Sequence, residues 1–331
     1  MAQVSVALVK PPDRRTTFVV NPCAAAGKTG RRWAARESLL RAHFPLGEVL
    51  FTREPGDATQ IARDAVERGQ NFIVAVGGDG TVHEVVNGLM TAVVPVSSSK
   101  RAGNNSTGPV LGIWPAGSGS DFARGVGIPG DVSGALDLLV AGRASTIDLG
   151  HILCQDADGQ PVERYYLNAV DFGLGAVVCE RLQRQSRFLP GRPTYLWQTV
   201  RALCTFRNPH VELAVNGAAF SRKKIISVVV ANNAYFGGGM CIAPDAHIAD
   251  GELDLVIVGN LGRFEAIRRL GETFSGNRIQ HPDVHYARCK HLEARSESKV
   301  LLEADGELVG RLPAKISVQP HCLQVVLGSV C

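Results

Sequence analysis

The sequence predicts an α/β domain followed by a mainly β domain, and three stretches carry that prediction. Residues 72–89 join a continuous apolar, β-rich run to a glycine turn, and then to an apolar stripe at Val82, Val85, Val86 and Leu89. Such a run is expected of a strand buried on both faces, and the i, i+3, i+4, i+7 stripe of a helix packed on a sheet. The same strand–turn–helix order returns at residues 110–124. From about Ser145 strand-like runs follow at close spacing between turn residues, which argues for a mainly antiparallel arrangement. The boundary is expected near residues 144–146, giving domains of residues 1–144 and 145–313.

Bulk properties agree with two ordinary domains. A length of 331 residues fits about two domains of 100 to 200 residues, and 45% hydrophobic content is enough to bury sizeable cores. The net charge of +4 suits an acidic partner such as nucleotide phosphate or anionic lipid. With 6% aromatic residues and no basic tract interleaved with aromatics, no nucleic-acid module is expected. The eight cysteines form no C-x-x-C pair and no zinc spacing, so free thiols in a reducing cytoplasm are expected. Residues 1–10 lack the basic start of a secretory signal, and no run reaches the ~20 apolar residues that span a bilayer. Any membrane contact is therefore expected to be peripheral.

Taken in order, the first strand is residues 17–20, closed by Asn21-Pro22. A small-residue loop, residues 23–29, enters a basic helix running to about His43. Gly27-Lys28-Thr29 imitates the end of a P-loop, but that motif needs glycine at position 22, where Pro22 stands. A short strand at 48–52 leads to a helix carrying Ile61, Ala62, Ala65 and Val66, stopped by Gly69. After the next strand, 72–76, Gly77, Gly78 and Gly80 let the backbone turn tightly and approach a bulky ligand. The following helix, expected to start near Thr81, aims unpaired N–H groups and a positive dipole end into that turn. This is an anion site suited to phosphate. Asp79 stands within it, and a carboxylate repels phosphate unless a cation lies between them. The stretch therefore predicts a Mg²⁺-nucleotide.

Residues 97–108 are polar and turn-rich, as a surface loop would be. The second joint, residues 115–124, has Ser120 or Asp121 as its expected helix cap. Residues 131–142 form a further helix with an acidic cap and a terminal glycine. Strand-like runs then occupy 146–152, 165–170, 211–215, 225–231, 253–258, 299–302 and 323–327, with helical patterns at 176–187, 195–206 and 264–273. Gly237-Gly238-Gly239 serves either a close backbone approach to a ligand or a turn. The acidic turn at residues 244–254 offers hard oxygen donors suited to Mg²⁺ or Ca²⁺. Asp305 and Glu307 flank Gly306, a compact arrangement able to hold a metal-bound water and take a proton. Arg181, Arg184 and Arg187 with Phe188-Leu189-Pro190 and Arg192 form a basic stretch with an apolar tip, suited to an anionic membrane surface.

At this point the residues resemble a known family. Gly77-Gly78-Asp79-Gly80-Thr81, with His83-Glu84-Val85-Val86-Asn87-Gly88 behind it, is similar to the nucleotide-binding signature of the diacylglycerol kinase and sphingosine kinase catalytic family. Residues 115–124 resemble the second motif of that family, the triple glycine with residues 244–254 its third, and Asp305-Gly306-Glu307 its fourth, in the family's order. NAD kinases and phosphofructokinases also carry Gly-Gly-Asp-Gly, so the ordered set of four carries the resemblance.

The resemblance implies an ATP-dependent lipid kinase with a Rossmann-like nucleotide-binding domain and a β-sandwich-like second domain, a fold of NAD kinase and diacylglycerol kinase type. It also implies an active site in the cleft between them, and a last segment, about 314–331, that returns to the first domain. Asn21, Lys28, Thr52, Gly77, Gly78, Asp79, Gly80, Thr81 and Ser118 would line the nucleotide site. Asp79, Asp121 and Asp305 would position Mg²⁺ through water, with Glu307 the general base on the lipid hydroxyl and Asp79 its rival for that role. Asp250, with the main-chain carbonyls of His247 and Glu252, would match a separate structural Mg²⁺ site. Ala25 replaces a usual glycine, Ser118 a common threonine and Ser120 a common asparagine.

The expected acceptor is diacylglycerol, giving phosphatidic acid, with a sphingoid base as the alternative. NAD kinase activity and nucleotide binding without turnover are the readings from other classes. The acceptor is expected at a membrane surface, and oligomeric state, a homodimer included, stays open.

Overall fold

The computed structural model describes residues 6–8, 15–93, 108–117, 119–184 and 192–328. The chain divides into two compact units, one bounded by Met1–Ile147 and His321–Cys331, the other by Asp148–Pro320.

The first unit is built on a parallel sheet. Its central strand, Phe72–Gly77, lies between Thr16–Val20 and Val110–Pro115; Glu48–Phe51 extends one side, and Gln324 and Val325 of the last strand pair with Val110 and Leu111 on the other. Every residue of the central strand is buried, as the continuous apolar run predicts. Alternate side chains diverge to opposite faces. Phe18, Val20, Phe72, Val74, Val76 and Trp114 pack with Trp33 and Leu40 of the helix Trp33–His43, and with Leu136 and Leu139 of Val132–Ala141. The helices Asp57–Glu67 and Asp79–Val93 pack on each other and on the sheet. Their crossing is close because Gly88 lies against Thr59 and Ala62, where a Cβ would overlap both.

One helix of this unit starts earlier than expected and another ends where expected. The helix begins at Asp79, two residues before the expected Thr81, so Asp79 and Gly80 belong to its first turn rather than to the preceding bend. The helix 132–141 has its predicted ends: Asp131 accepts the Gly134 N–H at 2.8 Å, and Gly142 closes it with φ +60°.

The second unit is a β sandwich with a helical layer on one side. Val284–Cys289, Leu253–Val258, Ser227–Ala231, Ala169–Gly173 and Leu301–Ala304 run antiparallel in that order. Val170, Phe172, Val228, Val230 and Leu255 turn inward to meet Leu213, Leu292, Ala314 and Ile316 from the other strands. The intervening residues Ala169, Val229 and Val256 face outward, against the helices Leu174–Arg184, Arg192–Thr205 and Arg263–Leu270.

The sequence expectation missed Ser221–Lys224, Val284–Cys289, His291–Arg295 and most of Glu307–Val326, and its run at 165–170 spans the break between Pro161–Tyr166 and Ala169–Gly173. Val284–Cys289 is buried only at its two ends, His291–Arg295 alternates buried and exposed residues, and Glu307–Val326 is mostly half-buried or exposed and carries two prolines. Gly237, Gly238 and Gly239 all take positive φ in the turn between Tyr235–Phe236 and Met240–Cys241. Among the described residues no helix is long and apolar enough to cross a membrane.

Candidate active site

In the first unit three loops meet at the carboxyl ends of adjacent parallel strands, where open α/β sheets bind ligands. Asn21 ties the first loop to the second: its backbone N–H donates to the Val76 carbonyl at 3.0 Å, and its side-chain amide donates to the Thr81 hydroxyl at 3.1 Å. The third loop joins through the Ala116 N–H, which donates to the Gly77 carbonyl at 2.7 Å. Thr29 is buried, and its hydroxyl donates to the Ala116 carbonyl at 3.2 Å. The threonine of the false P-loop is therefore a structural strut. Gly78 and Gly117 touch backbone to backbone, and a Cβ on Gly117 would overlap the Gly78 main chain. Glycine is required there by contact, a signal that sequence alone does not carry.

Asp79 sits at this junction. Its carboxylate accepts the backbone N–H of Asp121 at 3.1 Å and that of Phe122 at 3.2 Å. It thereby caps the helix Asp121–Gly125 from another loop, and the expected cap by Ser120 or Asp121 is corrected. Ser120 takes φ +54° and makes no side-chain cap bond, a conformation asparagine tolerates better than serine. Asp121 is buried beside Asp79's amide partners, with Arg124 at 3.4 Å from its carboxylate. Glu84 plays a similar structural part, accepting the N–H groups of Gly56 and Ala58 at 2.9 and 3.1 Å and so capping the helix Asp57–Glu67.

Of the remaining predicted nucleotide-site residues, Lys28 is exposed at the start of the short helix Lys28–Arg31. The Thr52 N–H donates to the Val20 carbonyl at 2.9 Å, and Ser118 lies outside the described residues. Ala25, at the position where glycine is usual, takes φ +51°, and Ala26 follows at +56°. Both are strained for an L-residue, by about 1–2 kcal/mol each, so the loop keeps the glycine conformation without glycine.

In the second unit Asp305 repeats the arrangement at Asp79. It is buried, and its carboxylate accepts the N–H groups of Leu167, Asn168 and Ala169 at 2.9, 2.8 and 3.4 Å. Its φ is +52°. Glu307, two residues on, is exposed and accepts the Gln183 side-chain N–H at 3.1 Å. The turn between them rests on groups that the sequence reading did not assign. Gly306 donates its N–H to buried Glu303 at 2.8 Å, and Cys179 donates its thiol to the Gly306 carbonyl. Burial, then the nearby charge of Asp171, pushes the Glu303 carboxyl well above its ordinary range.

Asp171 is the second missed group. It stands in the wholly buried strand Ala169–Gly173 and accepts the Ser227 hydroxyl in a short hydrogen bond. Burial pushes its pKa up to about 7. The folded protein thus holds a proton that the unfolded chain releases near pH ~4. Stability from the neutral form is complete below that value and is lost as pH rises through about 7. For Asp171→Asn, thermal scans between pH 5 and 8 should show a fall in midpoint smaller than the parent's by about 3 °C. Equal slopes would contradict a neutral Asp171.

Asp171 and Ser227 line part of an apolar pocket between the outer sheet face and the helical layer. With Val229, Ile242, Leu203 and Leu270 among its walls, it holds about 760 Å³ counting its open mouth.

The turn before Leu253–Val258 is held differently from the two aspartate sites. The Arg288 guanidinium meets the Asp250 carboxylate and donates to Glu252 at 3.1 Å. Asp250 also accepts the Glu252 N–H at 3.1 Å, and His247 accepts the Ala249 N–H on its ring nitrogen at 3.3 Å. In this arrangement the Arg288 guanidinium supplies positive charge at the Asp250 carboxylate, where the second Mg²⁺ is expected. Arg288→Ala should therefore gain a rise of about 2 °C in thermal midpoint with millimolar Mg²⁺ that the parent lacks. A parent midpoint that falls on chelation and recovers with Mg²⁺, in the absence of nucleotide, would contradict this.

Among the described residues no group of three or more His, Cys, Asp or Glu side chains is gathered as a ready metal cluster. Asp79 and Asp305 nevertheless fit Mg²⁺ held through water: each is a hard oxygen donor fixed by backbone amides. The basic stretch expected at a membrane falls partly outside the described residues, at 185–191. Within its described part, Arg181 donates to Thr205 at 2.8 Å and Arg184 pairs with Glu180 at 2.9 Å.

Comparison with known proteins defines the class. Residues 15–152 match the diacylglycerol kinase catalytic domain, and residues 168–327 match the YegS C-terminal NAD kinase beta sandwich-like domain. A Bacillus anthracis strain Sterne structure described as a diacylglycerol kinase shares the fold with a TM-score of 0.68 at 21% identity, over 95% of this chain and 97% of that one. Another from that strain, described only provisionally as a diacylglycerol kinase, reaches 0.74 at 22% identity over the same shares. Yeast NADH kinase with NADH bound has a TM-score of 0.50 at 12% identity, over 99% of this chain and 91% of that one. The fold is thus the one common to diacylglycerol kinases and NAD kinases.

Sequence relatives narrow it. The chain is 31% identical to the diacylglycerol kinase of Bacillus subtilis strain 168 over 78% of each chain. It is 28% identical to that of Staphylococcus aureus strain MRSA252 over 93% of this chain and 91% of the relative. The chain belongs to the diacylglycerol kinase family and is a lipid kinase phosphotransferase.

Proposed function

We propose that the protein transfers the γ-phosphate of ATP to a lipid hydroxyl, most directly from diacylglycerol to phosphatidic acid. The observation that carries this reading is Asp79, a carboxylate fixed by two backbone amides where two glycine turns touch. The amides and helix start of that junction suit the phosphates of a nucleotide. Asp79 and Asp121, with Asp305 of the second unit, are the proposed holders of Mg²⁺ through water. When bound, Mg²⁺ offsets charge on the transferred group.

Phosphoryl transfer asks the protein mostly for position and charge neutralisation. The Asn21, Ala116 and Thr29 hydrogen bonds keep the three loops in register for that purpose. Glu307 takes the proton of the lipid hydroxyl late in the transfer, with Asp79 the rival base. The apolar pocket of the second unit suits a lipid chain better than a dinucleotide, which favours lipid over NAD as acceptor. A sphingoid base is the second reading, because the Asp171 carboxyl in the pocket wall offers an acceptor for an amine. We place the reaction at the cytoplasmic membrane face, with peripheral contact.

Incubation with ATP, Mg²⁺ and a mixed lipid extract, followed by mass spectrometry, identifies the acceptor. Phosphatidic acid is the expected product. A sphingoid phosphate supports the second reading, and conversion of added NAD to NADP with no lipid phosphate overturns both.

A further inference from the structure

The pocket of the second unit has a definite way in. Among its lining residues, Tyr195, Phe236, Ala266, Arg269 and Leu270 keep part of their surface exposed and mark the mouth. Two of its walls are helices, Arg192–Thr205 and Arg263–Leu270. Tyr195, Thr199 and Leu203 of the first face the pocket at i, i+4 and i+8, and Ala266 and Leu270 of the second at i and i+4.

The opposite faces of these helices carry two aromatic side chains that lie outside the core and the pocket, and beside them arginines, of which Arg268 also pairs with Glu265 at 2.8 Å. Trp197 is 62% exposed and Phe264 is 92% exposed. Each has an exposed arginine four residues on, Arg201 and Arg268, on the same helical face. Arg263 is exposed on the second helix as well. From Thr194 to His210 the chain carries Arg201 and Arg207 and no acidic residue. The second helix has no buried residue; it lies over the pocket through half-buried Ala266 and Ile267, with Arg269 paired to Glu265 and Glu272.

We infer that the outer faces of these two helices, through Trp197, Phe264, Arg201, Arg263 and Arg268, form the surface by which the protein rests on an anionic bilayer. The inference rests on the lipid-kinase reading and adds the docking face to it. An aromatic ring with an arginine beside it suits the boundary layer of a membrane. The ring enters the headgroup region, and the guanidinium reaches lipid phosphate along its apolar stem. The net charge matches anionic lipid, with Arg201 on the first helix and three arginines against one glutamate on the second, and the face belongs to the helices that wall the pocket for the lipid chain. An acceptor could then pass from bilayer to pocket without crossing water.

Vesicle sedimentation tests the assignment, with phosphatidylglycerol-rich and pure phosphatidylcholine vesicles. Trp197→Ser with Phe264→Ser should lower binding to anionic vesicles about tenfold or more. Arg263→Glu with Arg268→Glu should do the same for anionic vesicles and leave the weak binding to neutral vesicles unchanged. Phe264→Ser alone removes a side chain with almost no folded contacts, and a severalfold loss is expected from it even if the double variant folds poorly. On short-chain diacylglycerol in neutral detergent micelles all variants should keep parental turnover within about twofold, since none touches the proposed chemistry. Parental vesicle binding by the folded variants overturns the docking face. So does a dimer in solution that the variants dissociate while vesicle binding persists, which would make the face a contact between copies. If the parent phosphorylates no lipid in micelles, the kinase reading fails instead, and the vesicle result stands apart from it.

Discussion

Glu307→Gln is expected to lower lipid phosphorylation by about two to four orders of magnitude while leaving ATP affinity within about twofold. The exchange keeps the length and hydrogen-bonding reach of the side chain, and the Gln183 partner can bond to the amide oxygen as it does to the carboxylate. Glu307 is exposed and the exchange keeps its bond to Gln183, so the folded protein should melt within about 1 °C of the parent. The loss would therefore lie in the proton-transfer step. Initial rates at saturating ATP, with equilibrium nucleotide binding measured beside them, check both halves. Near-normal turnover would move the role of base to Asp79.

Asp79 should show two separable effects. In Asp79→Ala the N–H groups of Asp121 and Phe122 lose their shared acceptor. Leaving buried donors unmet costs about 1–3 kcal/mol each, so the midpoint should fall by several degrees and the second glycine turn should loosen. Asp79→Asn keeps one oxygen to accept an amide and should retain most of the stability. Both variants lose the negative charge proposed to hold Mg²⁺, and both should lose turnover by at least about a hundredfold. If Asp79→Asn kept parental turnover and Asp79→Ala did not, Asp79 would be a helix cap and nothing more. Thermal scans and rates on the pair decide it.

Much of the first unit was legible because its strands are continuous apolar runs bounded by turn residues. Phe72–Gly77 and Val110–Pro115 are wholly buried, so no alternation blurred them. In the second unit Leu253–Val258 was legible for the same reason, whereas His291–Arg295 alternates polar and apolar residues over only five positions. The groups proposed to react were legible as residue types at turns: Asp79, Asp305 and Glu307 each stand beside a glycine. Their partners were not. The amides that hold Asp79 lie 42 and 43 residues on, and those that hold Asp305 come from a strand junction more than 130 residues earlier. Hydrogen bonds to backbone leave no trace in residue identity.

The pocket was hidden for a related reason. Val229, Ile242 and Leu203 would look the same in sequence if they packed in a solid core. One sign was available in Asp171, a carboxylate inside an apolar strand run, which a buried strand admits only with a hydrogen-bond partner such as Ser227. The Arg288 partner of Asp250, 38 residues away, was hidden in the same way.

Centrally, the Asp79 junction and the Asp305 turn are proposed to serve one phosphoryl transfer to lipid. The most direct test is transfer of label from γ-labelled ATP to dispersed diacylglycerol in the presence of Mg²⁺, run on the parent, Asp79→Asn and Glu307→Gln. Labelled phosphatidic acid is expected from the parent and almost none from either variant. Label that passes to no lipid although ATP binds, or that appears equally in all three proteins, would contradict it.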